Sequence, residues 1–261
     1  MKKLVVAVWG AEKTCKTTMA LTFPKPMYHF DLDVGGFERA RDRFEGQDIV
    51  SESFATPLQV ERLMGKVNVT TRASRRIVGV REVWQEFLVK YVELLKDEKL
   101  ETIVIDSATQ LWTICHQGFL QERQENQKPG TPPRESLLPI EYGEPNARMR
   151  SILYAARSYK KNLVLTHYPR DVYAQKVTAK GIEDYKTGGI EIDGFRQTSA
   201  LVDVVVSTYL SEVALPDQKN KVKVPAANVT LSGIGLDMIG KGLEPTYDGL
   251  VRLYEECKKA S

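Results

Sequence analysis

The sequence predicts an α/β protein: a mostly parallel, twisted sheet with helices on both faces, closed by a C-terminal β-hairpin and helix. Three observations lead there. Short apolar, β-branched runs (Leu4–Trp9, Met27–Leu32, Thr102–Ile105, Leu163–Thr166 and Val202–Tyr209) alternate with helical patterns. The runs are continuously apolar, as strands covered on both faces must be. The 261 residues, 42% of them hydrophobic, suffice for a sizeable core. The chain reads as a single domain, with a core over about residues 3–210 and the hairpin and helix over 211–261.

The elements follow in order. The first run, in "MKKLVVAVWGAEK", imitates a signal peptide, but it is short and charge resumes at Glu12, so it reads as a buried strand. Trp84, Phe87, Leu88, Tyr91 and Leu95 recur at helical spacing, as do Met149, Ile152, Leu153 and Ala156, and both stripes read as core-facing helices. "VALPDQKNKVKVPAANVTL" reads as a hairpin with its turn at Pro216–Asn220, and "EPTYDGLVRLYEECKKA" as a closing helix. Three stretches break this rhythm. Residues 64–81 hold five basic residues and no acid; residues 121–146 are polar and proline-rich; residues 170–196 carry four glycines and several lysines. The last two read as long loops, which in a compact domain are usually functional or disordered.

Composition narrows the function classes. No run approaches the roughly 20 apolar residues that span a bilayer, so no membrane role is expected. A net charge of +3 is too small to imply nucleic acid without local clustering. Cys15, Cys115 and Cys257 are far apart and odd in number, which predicts reduced thiols and a cytoplasmic protein, bacterial or in a phage-infected host cell.

The chemistry starts at "VVAVWGAEKTCKTTMALTF", a strand, a turn and the start of a helix. Gly10, Lys16 and Thr17 fit Gly-x-x-x-x-Gly-Lys-Thr, with Cys15 where the second glycine belongs. Such a loop, here Gly10, Ala11, Glu12, Lys13, Thr14, Cys15, Lys16, Thr17 and Thr18, wraps a phosphate in backbone N–H groups. Lys16 reaches the phosphates and Thr17 ligates Mg²⁺. The alternative is a plain β–α turn. A magnesium carboxylate is expected at the end of another apolar strand, and "ETIVIDSATQLW" supplies Asp106, which would otherwise cap the next helix. "YHFDLDVGGFERA" places Asp31 and Asp33 before a Gly-Gly turn. Asp33 could orient and activate an attacking water, or serve only the turn. Thr166 and His167 end the fourth strand, where a polar pair could sense a γ-phosphate. His29 and His116 read as structural.

Together these residues resemble the RecA-like recombination ATPases. "GAEKTCKTT" is similar to that family's phosphate loop, Glu12 included. "FDLDVGG" resembles its second-strand motif, with Asp33 at the catalytic glutamate's place. "IVIDSATQL" matches its magnesium strand, and "LVLTHYPRDV" resembles its sensor strand, with Thr166 and His167 in place of Asn-Gln. The combination looks most like the short phage-type members, often described as phage AAA-type nucleotide-binding proteins. The resemblance covers about residues 3–210. It implies an ATPase using ATP and Mg²⁺, with Lys16, Asp33, Asp106 and His167 catalytic and Thr17 and Asp106 on the metal. It also implies DNA-dependent hydrolysis, single-stranded DNA as partner, a ring or filament of identical subunits, and a single-strand binding protein as a further partner. DNA contacts would come from Arg134 in the first long loop and from Arg170, Lys176, Lys180 and Lys186 in the second, with Tyr173 or Tyr185 stacking on bases. Lys176, Lys180 and Arg196 are the candidates for a finger acting across subunits. Two other functions fit the motif: a small-molecule or nucleotide kinase with Arg72, Arg75 and Arg76 in a lid, or a non-hydrolysing nucleotide-dependent scaffold, given Cys15 and the shortened acid Asp33. A cysteine beside Lys16 at the mouth of the loop is expected to be alkylated, and ATP–Mg²⁺ to protect it.

Overall fold

Strand β1 (Val5–Trp9) runs through the middle of an eight-stranded sheet. The computed structural model describes residues 3–33, 35–54, 76–178, 181–214 and 221–260. The sheet also contains β2 (Met27–Asp31), β3 (Ile49–Ser53), β4 (Thr102–Asp106), β5 (Asn162–His167), β8 (Val204–Ala214), β9 (Lys221–Ser232) and β10 (Gly242–Leu243). Their spatial order is β10-β9-β8-β1-β5-β4-β2-β3. The six strands from β8 to β3 are parallel, and β9 and β10 add antiparallel pairs at one edge. This is the expected RecA-like core with its C-terminal hairpin. β5 lies between β1 and β4, so the phosphate-loop strand and the Asp106 strand are not neighbours.

Side chains on successive strand residues point to opposite faces, and each face is covered. Val6, Val8, Val104 and Val164 pack towards α1 (Lys16–Leu21) and the closing helix α6 (Tyr247–Ala260). Val5, Ala7, Ile103, Ile105, Leu163 and Leu165 pack towards α2 (Val80–Lys96), α3 (Ala108–Glu125) and α4 (Gly143–Ser158). The two sequence stripes lie in this second layer: Trp84, Phe87, Tyr91 and Leu95 on α2, and Met149, Ile152, Leu153 and Ala156 on α4, are all buried. No helix among the described residues is long and apolar enough to cross a membrane.

The two expected loops contain more regular structure than their composition suggests. Residues 169–178 and 181–192 form a separate two-stranded antiparallel sheet, β6 (Pro169–Thr178) with β7 (Gly181–Ile192). Its Gly188–Gly189 pair, which reads as loop, is a bulge: residues 187–189 stand against the single residue Val172, between the pairs Asp171–Ile190 and Tyr173–Lys186. Gly188 takes φ +81° there, a conformation that favours glycine. In the other stretch, α3 continues to Glu125 and α4 starts at Gly143. The glutamines that make α3's end look loop-like are structural acceptors. Gln121 Oε1 takes the N–H groups of Val80 and Arg81, and Gln124 Oε1 that of Ile77, at the approach to α2. The sequence reading omitted β3, an edge strand whose "IVSES" is too polar for a buried run. Arg72 and Arg75, Lys180 and the turn at 216–220 lie outside the described residues. A four-residue helix, α5 (Thr198–Leu201), leads into β8.

Candidate nucleotide site

The turn after β1 is fixed from below. A Cβ at Gly10 would stand 2.3 Å from the carbonyl oxygen of Thr208 on β8, so only glycine fits that approach. Thr14 Oγ1 donates to the Ala11 carbonyl and lies 2.8 Å from Thr208 Oγ1, which ties the loop to the neighbouring strand. The chain passes through left-handed conformations at Lys13 (φ 61°) and Cys15 (φ 70°) and then enters α1. Cys15 thus holds the backbone conformation that a glycine adopts without penalty. For an L-residue it costs about 1–2 kcal/mol. Lys16 folds back under the loop, 8% exposed, and its ammonium donates to the carbonyls of Gly10 (2.9 Å) and Ala11 (2.7 Å). The ring of Tyr168 lies 4.8 Å from the same Nζ. Burial lowers the pKa of Lys16, opposed by the charges of Asp106, Asp33 and Glu12.

Asp106, at the end of β4, is where four elements meet. Its Oδ2 accepts from Thr17 Oγ1 at 2.6 Å and lies 3.4 Å from His29 Nε2. Its Oδ1 accepts from Thr166 Oγ1 on β5. Burial pushes the carboxyl up, but His29 and the two hydroxyls outweigh it and hold the pKa below its ordinary value. Asp106 therefore does not cap the next helix. Ser107 takes that role, accepting from the Gln110 N–H. His29, read from sequence as structural, is bonded into this cluster and also lies 2.8 Å from Ser51. His116 is structural, bonded to the Trp112 carbonyl within α3.

Asp33 follows β2 and is held at both oxygens, by Ser107 Oγ on Oδ1 (3.0 Å) and by the Tyr168 hydroxyl on Oδ2 (2.6 Å). Burial raises its pKa, with Asp106 and Asp31 adding to the rise and the two hydroxyl bonds opposing it.

These groups face one cavity of about 560 Å³. Its wall includes Glu12, Lys13, Cys15, Lys16, Thr17, Thr18, Asp33 and Asp106 from the sequence reading, and Gly36, Arg39, Arg43 and Tyr168, which that reading missed. Gly10, Ala11 and Thr14 belong to the loop but do not line the cavity. Arg39 and Arg43, four residues apart after the Gly-Gly turn, are exposed and have no ion pair among the described residues. Tyr168 was legible from strand alternation. Residues 166 and 168 share a face, and the residue between them faces the opposite layer. That residue is His167, which is fully buried and does not line the cavity. Its Nδ1 bonds the Asp193 carbonyl at 2.9 Å, its Nε2 has no partner among the described residues, and burial pushes its pKa down to about 4.

The residues expected to contact DNA are mostly charge-paired. Arg134 forms a bidentate contact with Glu141; Arg170 pairs with Glu191 at 2.7 Å, and Lys186 with Asp171 at 2.8 Å. Lys176 is exposed and faces Glu183 across the ladder. Arg196 lies at the hairpin base, beside Arg170, in the wall of a separate 590 Å³ hollow.

A glycine-anchored loop with a buried lysine, a threonine bonded to a strand-end aspartate, and a mostly parallel sheet that brings them together have the form of a phosphate-loop fold. A family model described as an AAA domain matches residues 2–221, and the chain belongs to that family. No curated protein matches it. Among solved structures, a KaiC-like protein from the hyperthermophilic archaeon Pyrococcus horikoshii OT3 is similar at 12% identity and a TM-score of 0.49. The match covers 94% of this chain and 88% of that one.

Proposed function

We propose that this chain binds ATP with Mg²⁺ and hydrolyses it. The observation that carries the reading is the 2.6 Å bond from Thr17 Oγ1 to Asp106 Oδ2, beside the buried Lys16 ammonium. It brings the hydroxyl of the loop and the carboxylate of β4, 89 residues apart, to one point. A hydroxyl and a carboxylate are hard oxygen donors of the kind Mg²⁺ takes, with water completing its shell. Thr17 and Asp106 would hold the metal, which when bound neutralises charge on the phosphate oxygens. Lys16 exchanges its two carbonyl acceptors for phosphate oxygens, and the loop N–H groups hold the β-phosphate. Asp33 would accept a proton from the water that attacks the γ-phosphorus, while the bond from that phosphorus to the β,γ-bridging oxygen breaks and ADP leaves. Its raised pKa suits a proton acceptor, and the Tyr168 and Ser107 bonds fix its direction. Arg39 and Arg43 add positive charge on the facing wall.

The finer reading is the phage-type one: a cytoplasmic RecA-like ATPase on single-stranded DNA, assembled as a ring or filament, in recombination, annealing or replication. Its support is the family resemblance and the β6–β7 hairpin, which exposes Tyr173 (63%) and Tyr185 (49%) as stacking surfaces. Lys176 and Arg196 do not line their own chain's nucleotide cavity, so a finger role for either requires a second copy.

Steady-state ATP hydrolysis with and without single-stranded DNA, on wild type and Lys16→Ala, tests this. DNA-stimulated turnover that is lost in the variant is the expected result. Turnover that ignores DNA but responds to a small acceptor would make the protein a kinase. Tight ATP binding without turnover would make it a scaffold.

A further inference from the structure

Asp31 has one carboxylate oxygen with no role in the chemistry above. The residue ends β2, directly beside Asp106 in the parallel ladder, and is 4% exposed. Its Oδ2 accepts the Gly35 N–H at 2.9 Å and the Phe37 N–H at 3.5 Å, which shapes the Gly-Gly turn. Its Oδ1 is buried and has no hydrogen-bond partner, and no cation pairs with it among the described residues. A buried carboxylate oxygen left bare is expensive, and buried polar atoms nearly always have a partner.

The position of that oxygen indicates the missing partner. A point one Cα–Cβ bond above Gly36 lies 3.0 Å from Asp106 Oδ2, 3.5 Å from Asp31 Oδ1 and 3.8 Å from Thr17 Oγ1. Three oxygens from three elements converge there, and the wall between them is the one residue type without a side chain. Gly36 has no positive φ, so the need for glycine there is one of space. The two backbone bonds on Oδ2 leave Oδ1 free and fix its aim.

We propose that Asp31 is a positioning residue of the Mg²⁺ site: its Oδ1 would accept from a water of the Mg²⁺ shell, beside Asp106, so the site carries two carboxylates. Mg²⁺ keeps several waters and is held through one or two carboxylates, and partners of that outer shell typically contribute 10- to 100-fold to metal affinity. The bare oxygen, the side-by-side aspartates and the empty Cβ position of Gly36 are then one device. The inference rests on the nucleotide reading and adds a residue to it.

Mn²⁺ binding to the full chain in the presence of ADP, followed by electron paramagnetic resonance, tests it without using turnover. Asp31→Asn keeps the shape and the Oδ2 bonds. It should weaken Mn²⁺ about tenfold, leave ADP affinity in EDTA unchanged, and not lower the metal-free melting temperature. Gly36→Ala, which puts a methyl into the shared space, should weaken Mn²⁺ as well, and it serves alone if Asp31→Asn fails to fold. Folded variants that bind Mn²⁺ as wild type does would overturn the proposal and leave Asp31 a turn residue. Wild type that binds no Mn²⁺ with ADP would overturn the nucleotide reading itself.

Discussion

Where the tips of β4 and β5 meet the start of α1, polar side chains are bonded to one another across 60 and 89 residues of sequence, with Asp106 and Thr166 buried. A few residues along the chain, the β6–β7 hairpin pairs its described charges locally, Arg170 with Glu191 and Lys186 with Asp171, towards the surface. The difference lies in what each region needs from the fold. The nucleotide end needs exact positions, so its groups sit where strands end and sheet register sets their spacing. The role proposed for the hairpin needs only reach, since a stacking surface tolerates displacement. Removing one member of the buried cluster should therefore act on the whole site, whereas removing one hairpin residue should act locally.

The contrast is sharpest at Lys16. Lys16→Ala should lower hydrolysis by about 10²-fold or more, the loss seen when one charge-stabilising donor is removed, in a steady-state assay with folding checked by circular dichroism. A neutral, buried His167 gives the next largest effect. Its folded pKa of about 4 lies below the unfolded value near 6.5, so the unfolded chain binds the extra proton and stability falls as pH drops through that window. Between pH 7 and pH 5 the loss should be about 2 kcal/mol, and His167→Gln should flatten it in denaturant titrations at the two pH values. Cys15→Gly should stabilise the protein by about 1 kcal/mol, by removing the left-handed strain. It should also abolish alkylation at the loop, which ATP–Mg²⁺ should slow in wild type; peptide mass mapping reads both. The smallest effect belongs to the hairpin. Tyr173→Ala should leave stability within about 0.5 kcal/mol and basal hydrolysis unchanged while weakening single-stranded DNA binding. A Tyr173→Ala variant that lost basal hydrolysis would erase the contrast.

The sequence carried the sheet and much of the site because both rest on local signals. Continuous apolar runs locate buried strands, Gly10 and Asp106 sit at strand ends whose neighbours are fixed by sheet order, and Lys16 and Thr17 open the helix that follows the first of them. Tyr168 could have been found by carrying the alternation two residues past Thr166. His29 could not: its role depends on β2 lying beside β4, a pairing that no local pattern encodes. Arg39 and Arg43 look like solvated arginines until the turn brings them to the cavity. The hairpin was hidden by the Gly188–Gly189 bulge, since a pair of glycines is also what a loop contains. The far ends of α3 and the approach to α2 were hidden because Gln121 and Gln124 use their amides as internal acceptors.

One residue, Tyr168, separates β5 from β6, and its hydroxyl holds Asp33 while its ring lies against Lys16. The hairpin therefore has no slack where it meets the sheet. A load applied to its arm, from whatever partner grips it, enters the molecule at the phenol that aligns the proposed proton acceptor. Pulling on the outside of this protein and misaligning the proposed reaction centre would then be mechanically the same movement.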